Sequence, residues 1–407
     1  MTKESIIRAL VERRFLKKTI AWFDKQIAKI SIMMMTRMVS VVNNNIVFIT
    51  SRGAYDCNPK WITEEIIRQK LPYKLTWVVR KKSSIREFPD NINLVNRGSY
   101  EFYKAIAQAK VIIDNSVNMA YMEYRKKHNQ ILIETWHGAI GIKKFSADTN
   151  NDKLWIKKAR QEGKSTDYCI SNSTFEDAIF QESFWSKAEI LQYGHARNDV
   201  LFGNDEKKNN RIRKKIFERY DLPQNVKICM YAPTFRDDGD LTPYLLDYNE
   251  IVDALSTKFG GRWIIFVRFH FKVMKSIPHN LLPDSVINVS EYPDIQELMT
   301  CVDVGITDYS SWICEYLLTR RPGFLFATDM DHYAEKEREF FYPLDSMPFP
   351  LATNNEQLVD NIKKFDKERF AVECEQFLRD KGCIDDGHAS ERIVEKIKEI
   401  IGEGVER

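Results

Sequence analysis

Short apolar runs alternate with helical patterns along the first half of the chain, beyond residue 40. The runs are rich in Val, Ile, Leu and aromatic residues and are bounded by turn residues, as expected for buried strands. Between them, stretches such as residues 63–71 and 100–110 carry apolar positions at helical spacing. The predicted strands cover residues 46–52, 74–80, 92–97, 110–114, 131–138, 168–173 and 188–194. This alternation predicts an α/β fold with a parallel sheet covered on both faces.

A charged segment with few apolar residues, 204–225, separates this region from a second one with the same alternation. We predict a domain boundary there, with one helix that opens the second domain. The predicted strands of the second region cover residues 227–233, 263–270, 286–290, 302–308 and 322–328. Because 407 residues are too many for one ordinary core, we predict a domain of residues 41–203, a domain of residues 204–375 and a C-terminal helix of residues 376–407. Two such domains place a ligand cleft between them, at the carboxyl ends of the strands.

The first forty residues form a basic segment. Residues 1–37 contain nine Lys and Arg against three Asp and Glu, a net charge of +6. Apolar residues fall within it at helical spacing, which predicts a basic amphipathic helix over residues 1–40. Such a helix suits an anionic membrane surface, and it equally suits packing on its own domain with a solvated basic face. No secretory signal and no long uncharged apolar run is present, so no transmembrane helix is predicted.

Composition disfavours several classes of protein. Hydrophobic residues make up 43% of the chain and aromatic residues 12%, which is typical of a globular protein. The net charge of +3 is small, so no nucleic-acid partner is expected. Seven scattered cysteines include no CxxC pair, which favours a reduced, cytosolic protein without a zinc site. Neither GxxxxGK[ST] nor HExxH occurs, and no GxGxxG follows the first strand, which disfavours P-loop NTPases, zinc proteases and dinucleotide dehydrogenases.

His137 lies at the end of the first region's fifth predicted strand, in the sequence ETWHG. A neutral imidazole at this place can act as a general base, because its unperturbed pKa is about 6.5. A histidine that hydrogen-bonds a loop carbonyl would give the same pattern. These residues alone therefore leave both interpretations open.

Further clusters of polar residues lie at predicted strand ends in the second region. In VRFHF, Arg268 and His270 are two residues apart and would share one face of a strand, where both can contact one anion. In YAPTFRDD, Thr234 ends a strand, and Arg236 could clamp a diphosphate because its planar fork matches phosphate oxygens. GHARND, residues 194–199, is by its spacing only a turn.

The sequence GITDYSSWICEYL predicts a helix that begins just after a strand, with hydroxyl and carboxyl side chains at its start. Free N–H groups and the helix dipole favour phosphate oxygens at such a position, although Asp and Ser are also common there as structural caps. The side chains at the start are Thr307, Asp308, Tyr309, Ser310 and Ser311. Glu315, one turn further on, could accept hydrogen bonds from ribose hydroxyls.

The motifs WHG, GHARND, YAPTFR, VRFH and TDYSS, in this order, resemble those of the CDP-glycerol glycerophosphotransferase family, which builds teichoic acids and related polyol-phosphate polymers. DDGHASERI, residues 385–393, resembles the family's C-terminal signature, and the match covers roughly residues 100–395. The resemblance implies a GT-B fold, in which two Rossmann-like domains face each other across a cleft and the second holds most of the nucleotide. Family members act at the cytoplasmic membrane face on lipid-linked acceptors, which favours membrane contact by the basic helix.

The resemblance also implies a reaction in which an acceptor hydroxyl attacks the β-phosphate of a CDP-polyol, carrying glycerol or ribitol, and CMP leaves. The acceptor would be a lipid-linked glycan or a polyol-phosphate chain. His137 would be the general base, and His270, the second catalytic residue, would neutralise the diphosphate with Arg268. The residues implied to bind substrate are Arg236, Thr234, Arg268, Thr307, Asp308, Ser310, Ser311, Glu315, Gly138, Arg197 and Asp199. No cofactor is implied; Asp237, Asp238 and Asp308 could hold magnesium, although no ligand spacing demands it.

Four positions depart from the usual family pattern. Ala196 stands in place of a proline and His195 in place of an aromatic residue, both in GHARND. Phe271 replaces a proline after VRFH, and Glu315 replaces an aspartate. The last two departures leave the polyol and nucleotide preference open.

Two other functions also stay open. A GT-B glycosyltransferase that uses a nucleotide sugar would share the fold and the diphosphate site. A membrane-surface protein could keep the fold without catalysis. If the chain is a CDP-polyol transferase, Lys143 and Lys144, which lie just past His137, are expected to steer an anionic acceptor.

Overall fold

The computed structural model describes residues 36–80, 87–122, 124–144, 152–236, 246–270, 282–330, 332–333 and 339–402. Of the predicted basic helix, only residues 36–40 fall among them, and residues 36–38 are helical. The rest of that helix, together with Asp237, Asp238 and Phe271, lies outside the described residues. Within the described part of the chain, no helix combines the length and the apolar character needed to cross a membrane.

The first sheet is built from seven parallel strands. They are β1 (Val42–Ile49), β2 (Lys74–Val79), β3 (Asn93–Asn96), β4 (Ala109–Asp114), β5 (Ile131–Glu134), β6 (Tyr168–Ser171) and β7 (Glu189–Gln192). Their order is β3-β2-β1-β4-β5-β6-β7. The helices between them are α1 (Cys57–Arg68), α2 (Tyr100–Gln108), α3 (Asn118–Tyr121), α4 (Lys153–Gly163) and α5 (Thr174–Glu182), and a 3-10 helix covers Ala196–Phe202. The central strands are buried on both faces, which explains their nearly continuous apolar sequence.

The second sheet has six parallel strands in the described residues. They are β8 (Val226–Tyr231), β9 (Arg262–Val267), β10 (Val286–Asn288), β11 (Val304–Thr307), β12 (Gly323–Phe326) and β13 (Leu351–Ala352), in the order β10-β9-β8-β11-β12-β13. The helices are α6 (Glu206–Arg219), α7 (Tyr248–Phe259), α8 (Ile295–Cys301), α9 (Trp312–Tyr316), α10 (Asn355–Lys364), α11 (Lys367–Asp380) and α12 (Ala389–Gly402). Short 3-10 helices cover Leu317–Thr319 and Leu344–Ser346.

The prediction of an α/β fold with two parallel sheets is confirmed. Most of the predicted strands end one to four residues earlier than expected, among them β5, at Glu134 rather than residue 138, and β9, at Val267 rather than residue 270. The two-residue strand β13 was not predicted. Residues 376–402, expected to form one C-terminal helix, include the end of α11 and the whole of α12.

Strand order reverses once in each sheet, between β1 and β4 in the first and between β8 and β11 in the second. A crevice opens at the carboxyl end of such a reversal, because the connections leave toward opposite faces of the sheet. Ser51 and Asn115 lie just beyond β1 and β4, and Thr234 and Ser310 lie just beyond β8 and β11. All four residues line one cavity, so the two crevices meet.

Candidate active site

A cavity of about 1040 Å³ lies where the two crevices meet. Its basic lining residues are Arg52, Arg80, His137, Lys143, Arg197, Arg268 and His270, and its carboxylates are Asp56 and Asp294. A smaller cavity of about 370 Å³ adjoins it and shares His137, Arg197 and Ser310 with it. The excess of cationic groups in a partly enclosed space favours an anionic ligand.

His137 lies just beyond β5, where Trp136 adopts a φ of 51° and turns the chain out of the strand. Its Nδ1 donates to the carbonyl of Asn115 at 2.6 Å, so Nε2 is the unprotonated nitrogen of the neutral ring. The side chain is accessible from the cavity, yet the enclosing walls still desolvate it. Desolvation and the charges of Arg197 and Arg52 lower the pKa of His137 to about 4. The ring is therefore neutral at neutral pH and can accept a proton at Nε2.

Arg268 and His270 lie beyond the end of β9, so the expectation that they share one face of a strand is wrong. Both residues nevertheless line the cavity. Arg268 donates through Nη1 to the carbonyl of Tyr292 at 2.5 Å. Burial lowers the pKa of Arg268 to about 10, which leaves it charged at neutral pH. The ring of His270 stacks on Phe235, with 5.2 Å between ring centroids.

The TDYSS sequence divides into a cavity-lining part and a buried part. Ser310 and Ser311 line the smaller cavity, and Ser310 also lines the larger one. Thr307 and Asp308 are buried: Thr307 Oγ1 donates to the Ala232 carbonyl at 2.7 Å, and Asp308 accepts from a main-chain N–H just beyond β8 at 2.7 Å. Both side chains thus join the β8 and β11 loops, and their phosphate contacts stay a prediction.

Arg236 does not have the position expected of a diphosphate clamp. Its guanidinium contacts the carboxylates of Asp308 at 2.9 Å and Asp329 at 2.7 Å. It also lies over the rings of Tyr309 and Tyr333, at 5.0 and 4.8 Å from their centroids. Arg236 is buried and does not line either cavity. Arg236 thus holds the loop after β8, and its diphosphate contact stays a prediction.

Arg197 and Glu315 form an ion pair at the junction of the two cavities. The second carboxylate oxygen of Glu315 accepts from the side-chain amide of Gln296 at 2.6 Å. Arg197 Nη1 also contacts the sulfur of Cys57 at 3.3 Å, and Cys57 itself has a φ of 61°. Both oxygens of Glu315 contact protein groups, and the ion pair joins the two walls; the ribose contact stays a prediction.

Asp199 and the C-terminal signature meet at the start of α12. The Asp199 carboxylate accepts from the main-chain N–H groups of Ala389 and Ser390, at 2.9 and 2.7 Å, and so caps this helix. Asp385 accepts from the main-chain N–H of His195 at 2.8 Å. Asp199 thus has a structural contact, and its substrate contact stays a prediction. The GHARND and DDGHASERI sequences therefore bind one another and hold α12 against α1.

The residues just past His137 differ in whether they line a cavity. Gly138 lines the smaller cavity, and Lys143 lines both. Lys144 instead contacts Glu339 at 2.7 Å, on the surface. Of the two lysines, Lys143 thus has the position expected of a residue that steers an anionic acceptor.

Sequence reasoning missed several residues of the cavity wall, among them Arg52, Arg80 and Asn115. Arg52 and Arg80 follow β1 and β2 closely, and Asn115 follows β4 directly. Each arginine ends a predicted strand, so the strand-end argument used for the second region would have found both. Asn115 acts through its main-chain carbonyl, and such a contact leaves no signal in the sequence.

A buried ion pair joins the two walls beside the cavity. Lys60 in α1 contacts Asp294 and Glu297, each at 2.6 Å. Burial alone would raise the pKa of Glu297, but Lys60 and Lys215 lower it to about 2. This contact helps to set the width of the cleft.

Among the described residues, one group of three carboxylates is close enough to share a cation: Asp114, Glu134 and Glu162. The group is buried, and Asp114 directly precedes Asn115, whose carbonyl binds His137. Burial raises the pKa of Asp114 to about 7, and it also raises the pKa of both glutamates. Protons held in this group would reduce its negative charge.

The sequence model of one protein family, described as CDP-Glycerol:Poly(glycerophosphate) glycerophosphotransferase, matches residues 31–399 of this chain. The chain is 31% identical over 381 residues to the teichoic acid poly(glycerol phosphate) polymerase of Staphylococcus epidermidis, a match that covers 89% of this chain and 52% of that protein. It is 28% identical to the teichoic acid glycerol-phosphate transferase of Staphylococcus aureus, covering 87% of this chain and 93% of that protein. The chain thus spans about half the length of the curated polymerase that it matches.

Among solved structures, the wall teichoic acid polymerase TagF is similar to this chain. The two align with a TM-score of 0.78 and 30% sequence identity, covering 90% of this chain and 91% of that one. This likeness, with the two parallel sheets, confirms the predicted GT-B fold.

Proposed function

This chain belongs to the CDP-glycerol:poly(glycerophosphate) glycerophosphotransferase family, and we propose that it transfers glycerol or ribitol phosphate from a CDP-polyol to an acceptor hydroxyl. CMP is the leaving group. The acceptor in this proposal belongs to the teichoic-acid class of polymers, which the names of its relatives specify for those proteins.

One observation carries the proposal. A neutral histidine lies on one wall of the cavity, and the other wall supplies cationic groups and hydroxyls. His137 keeps Nε2 unprotonated because Nδ1 donates to the Asn115 carbonyl. Arg268 and His270 line the same cavity from the second sheet. This arrangement suits a reaction that needs a proton acceptor beside a held diphosphate.

In the proposed step, the acceptor oxygen forms a bond to the β-phosphorus while the bond from that phosphorus to the bridging oxygen breaks. The hydroxyl proton passes to Nε2 of His137, and the bridging oxygen leaves with the electron pair as part of CMP. Arg268, His270 and the hydroxyls of Ser310 and Ser311 stabilise the charge that develops on the diphosphate. Positioning and electrostatic stabilisation supply most of the rate.

The low pKa of His137 fits this step. The charges of Arg52 and Arg197 contribute to that low value. A bound diphosphate compensates these charges, and it therefore raises the pKa of His137 toward neutrality when the donor is in place. The base then becomes stronger in the complex than in the free enzyme.

We further propose that the acceptor is lipid-linked and that the protein binds peripherally at the cytoplasmic membrane face. The net charge of +6 in residues 1–37 supports this, because basic residues are attracted to anionic lipid. Sedimentation of the full chain with vesicles that contain anionic lipid tests it. Equal sedimentation with neutral vesicles would contradict the electrostatic part.

The reaction is tested by incubating the protein with an acceptor polymer and, separately, CDP-glycerol, CDP-ribitol and a panel of UDP-sugars. We expect release of CMP from at least one CDP-polyol, together with an added polyol phosphate mass on the acceptor. Release of UDP with sugar transfer, and no CMP from either CDP-polyol, would overturn the proposal in favour of a nucleotide-sugar glycosyltransferase. His137→Asn is the control variant, since it should lower CMP release by about 10³-fold without unfolding the protein.

A further inference from the structure

Three neighbouring strands of the first sheet are each followed by an arginine at the carboxyl end. Arg52 lies three residues after β1, Arg80 directly after β2 and Arg97 directly after β3. These strands are adjacent in the sheet in the order β3-β2-β1. The three arginines therefore form a row along one sheet edge, which we call the arginine row.

Strand register determines the spacing of the row. Val79 pairs with Asn96, so the next residues, Arg80 and Arg97, are also neighbours. The main-chain N–H of Arg97 donates to the Val79 carbonyl at 2.9 Å, which holds the two strand ends together. Adjacent strands are about 4.8 Å apart, so the row from β3 to β1 spans about 10 Å.

The row starts in the cavity and leads away from it. Arg52 and Arg80 line the cavity that contains His137. The charge of Arg52 lowers the pKa of His137 and of Arg268, so its guanidinium is close to both walls. Arg97 is half-buried and does not line the cavity, but it is next to Arg80.

The positive charges of the arginine row repel one another. Burial lowers the pKa of Arg97 and the charge of Arg80 lowers it further, while Asp114 acts in the opposite direction. Arg52 contacts the carboxylate of Asp56 at 2.9 Å, although more than half of its side chain remains exposed. Like charges held side by side are unfavourable alone and favourable toward a ligand with several negative charges.

We propose that the arginine row binds the phosphodiester groups of the acceptor chain. This inference rests on the proposed function, and it specifies the acceptor as a chain that already carries phosphate. The terminal hydroxyl lies at His137 beside Arg52, and the preceding phosphates of the same chain contact Arg80 and then Arg97. The row thus selects phosphate-bearing acceptors over uncharged polyols.

The test replaces Arg80 and Arg97 together by glutamine and measures steady-state transfer to a short poly(glycerol phosphate) acceptor. Each lost charged contact weakens binding by roughly tenfold, so we expect the acceptor KM to rise at least about tenfold. The Kd of the CDP-polyol donor, measured by calorimetry, stays within about twofold of the original because the donor lies on the other wall. Raising the salt concentration increases the acceptor KM less steeply in the variant than in the original protein.

Lys74→Gln is the matched control. Lys74 is exposed at the amino end of β2, the same strand that Arg80 follows, so this control removes one positive charge, against two in the test variant, at a place distant from the cavity. We expect its acceptor KM to be unchanged. An equal rise of KM in both variants would show a general charge effect and overturn the proposal.

A binding measurement tests this proposal independently of the proposed reaction. Fluorescence anisotropy of a labelled poly(glycerol phosphate) chain needs no turnover, so it reports on the row even if no CDP-polyol releases CMP. The proposal is overturned if R80Q/R97Q binds this chain as tightly as the original protein does. It is also overturned if the variant keeps its acceptor KM but loses binding to vesicles of anionic lipid, which would assign the row to a membrane surface.

Discussion

Two histidines follow strands of the first sheet, and their surroundings give them opposite properties. His137 is accessible in the cavity and donates to the carbonyl of Asn115. His195 is fully buried and contacts the carboxylate of Glu176 at 2.9 Å. Burial alone would lower the pKa of both. Glu176 reverses this for His195, whose pKa is raised, whereas the pKa of His137 falls to about 4.

The comparison teaches that neither the residue type nor its place after a strand decides its role. A carbonyl partner and nearby cations make His137 a neutral proton acceptor. A carboxylate partner raises the pKa of His195 and holds its ring in a buried contact that stabilises the fold. The histidine that departs from the family pattern in GHARND is therefore a structural one.

The largest expected effect on activity comes from His137→Asn. Loss of the general base lowers kcat/KM by about 10³-fold, within the range usual for such residues. The melting temperature changes little because the side chain is accessible and makes one hydrogen bond to the main chain. Steady-state kinetics and a thermal melt check both parts. Activity within about tenfold of the original would remove His137 from the base role.

His195→Asn should have its main effect on stability. Glu176 would lose its imidazole partner in a buried site, which costs about 1–3 kcal/mol of unfolding free energy. Because the pKa of His195 is raised on folding, its stabilising effect is complete below about pH 6.5 and declines as the pH rises through the folded-state value. Urea unfolding at several pH values measures this. A difference that grows with increasing pH would contradict the ion-pair account.

Arg268→Gln tests the opposite wall. Loss of one cation at the diphosphate is expected to lower kcat/KM by about 10²-fold. The donor Kd should rise, whereas the acceptor Kd should not, because the acceptor lies on the first wall. A loss confined to acceptor binding would place the donor elsewhere.

The smallest effects come from two hydroxyl residues of TDYSS, which repeat the contrast between cavity and core. Ser310→Ala removes a hydroxyl that lines both cavities, and we expect about a tenfold loss of kcat/KM. Thr307→Val removes a buried hydroxyl that binds the Ala232 carbonyl, and we expect about 1–3 kcal/mol of destabilisation with activity nearly intact. The reverse pattern, with activity lost in the Thr307 variant alone, would restore the phosphate contact first expected of Thr307.

Sequence patterns predict the fold well because buried parallel strands are continuous apolar runs. They also place His137, His270 and Ser310 at the cavity, since the carboxyl ends of parallel strands meet there. The same patterns do not reveal the ion pair of Arg236, because its partner Asp329 is 93 residues away. Ion pairs and caps between distant residues have no local signature.

Asp199 is a second residue whose contacts the sequence does not reveal. Its partners are main-chain groups about 190 residues further along the chain, at the start of α12. A motif shared with a family indicates that its residues matter, but it does not distinguish contact with substrate from contact between two parts of the chain. Only the packing of α12 against α1 in the folded chain shows that Asp199 contacts another part of the chain.

Nuclear magnetic resonance of ring-labelled histidines tests the central claim most directly, with H137N and H195N used to assign the two signals. We predict that His137 titrates near pH 4 and carries its proton on Nδ1 when neutral, and that bound CDP-glycerol raises this pKa. We predict that His195 stays protonated to a higher pH than a solvent-exposed histidine does. A His137 that is already charged at pH 7 without ligand, or that carries its neutral proton on Nε2, would contradict the account.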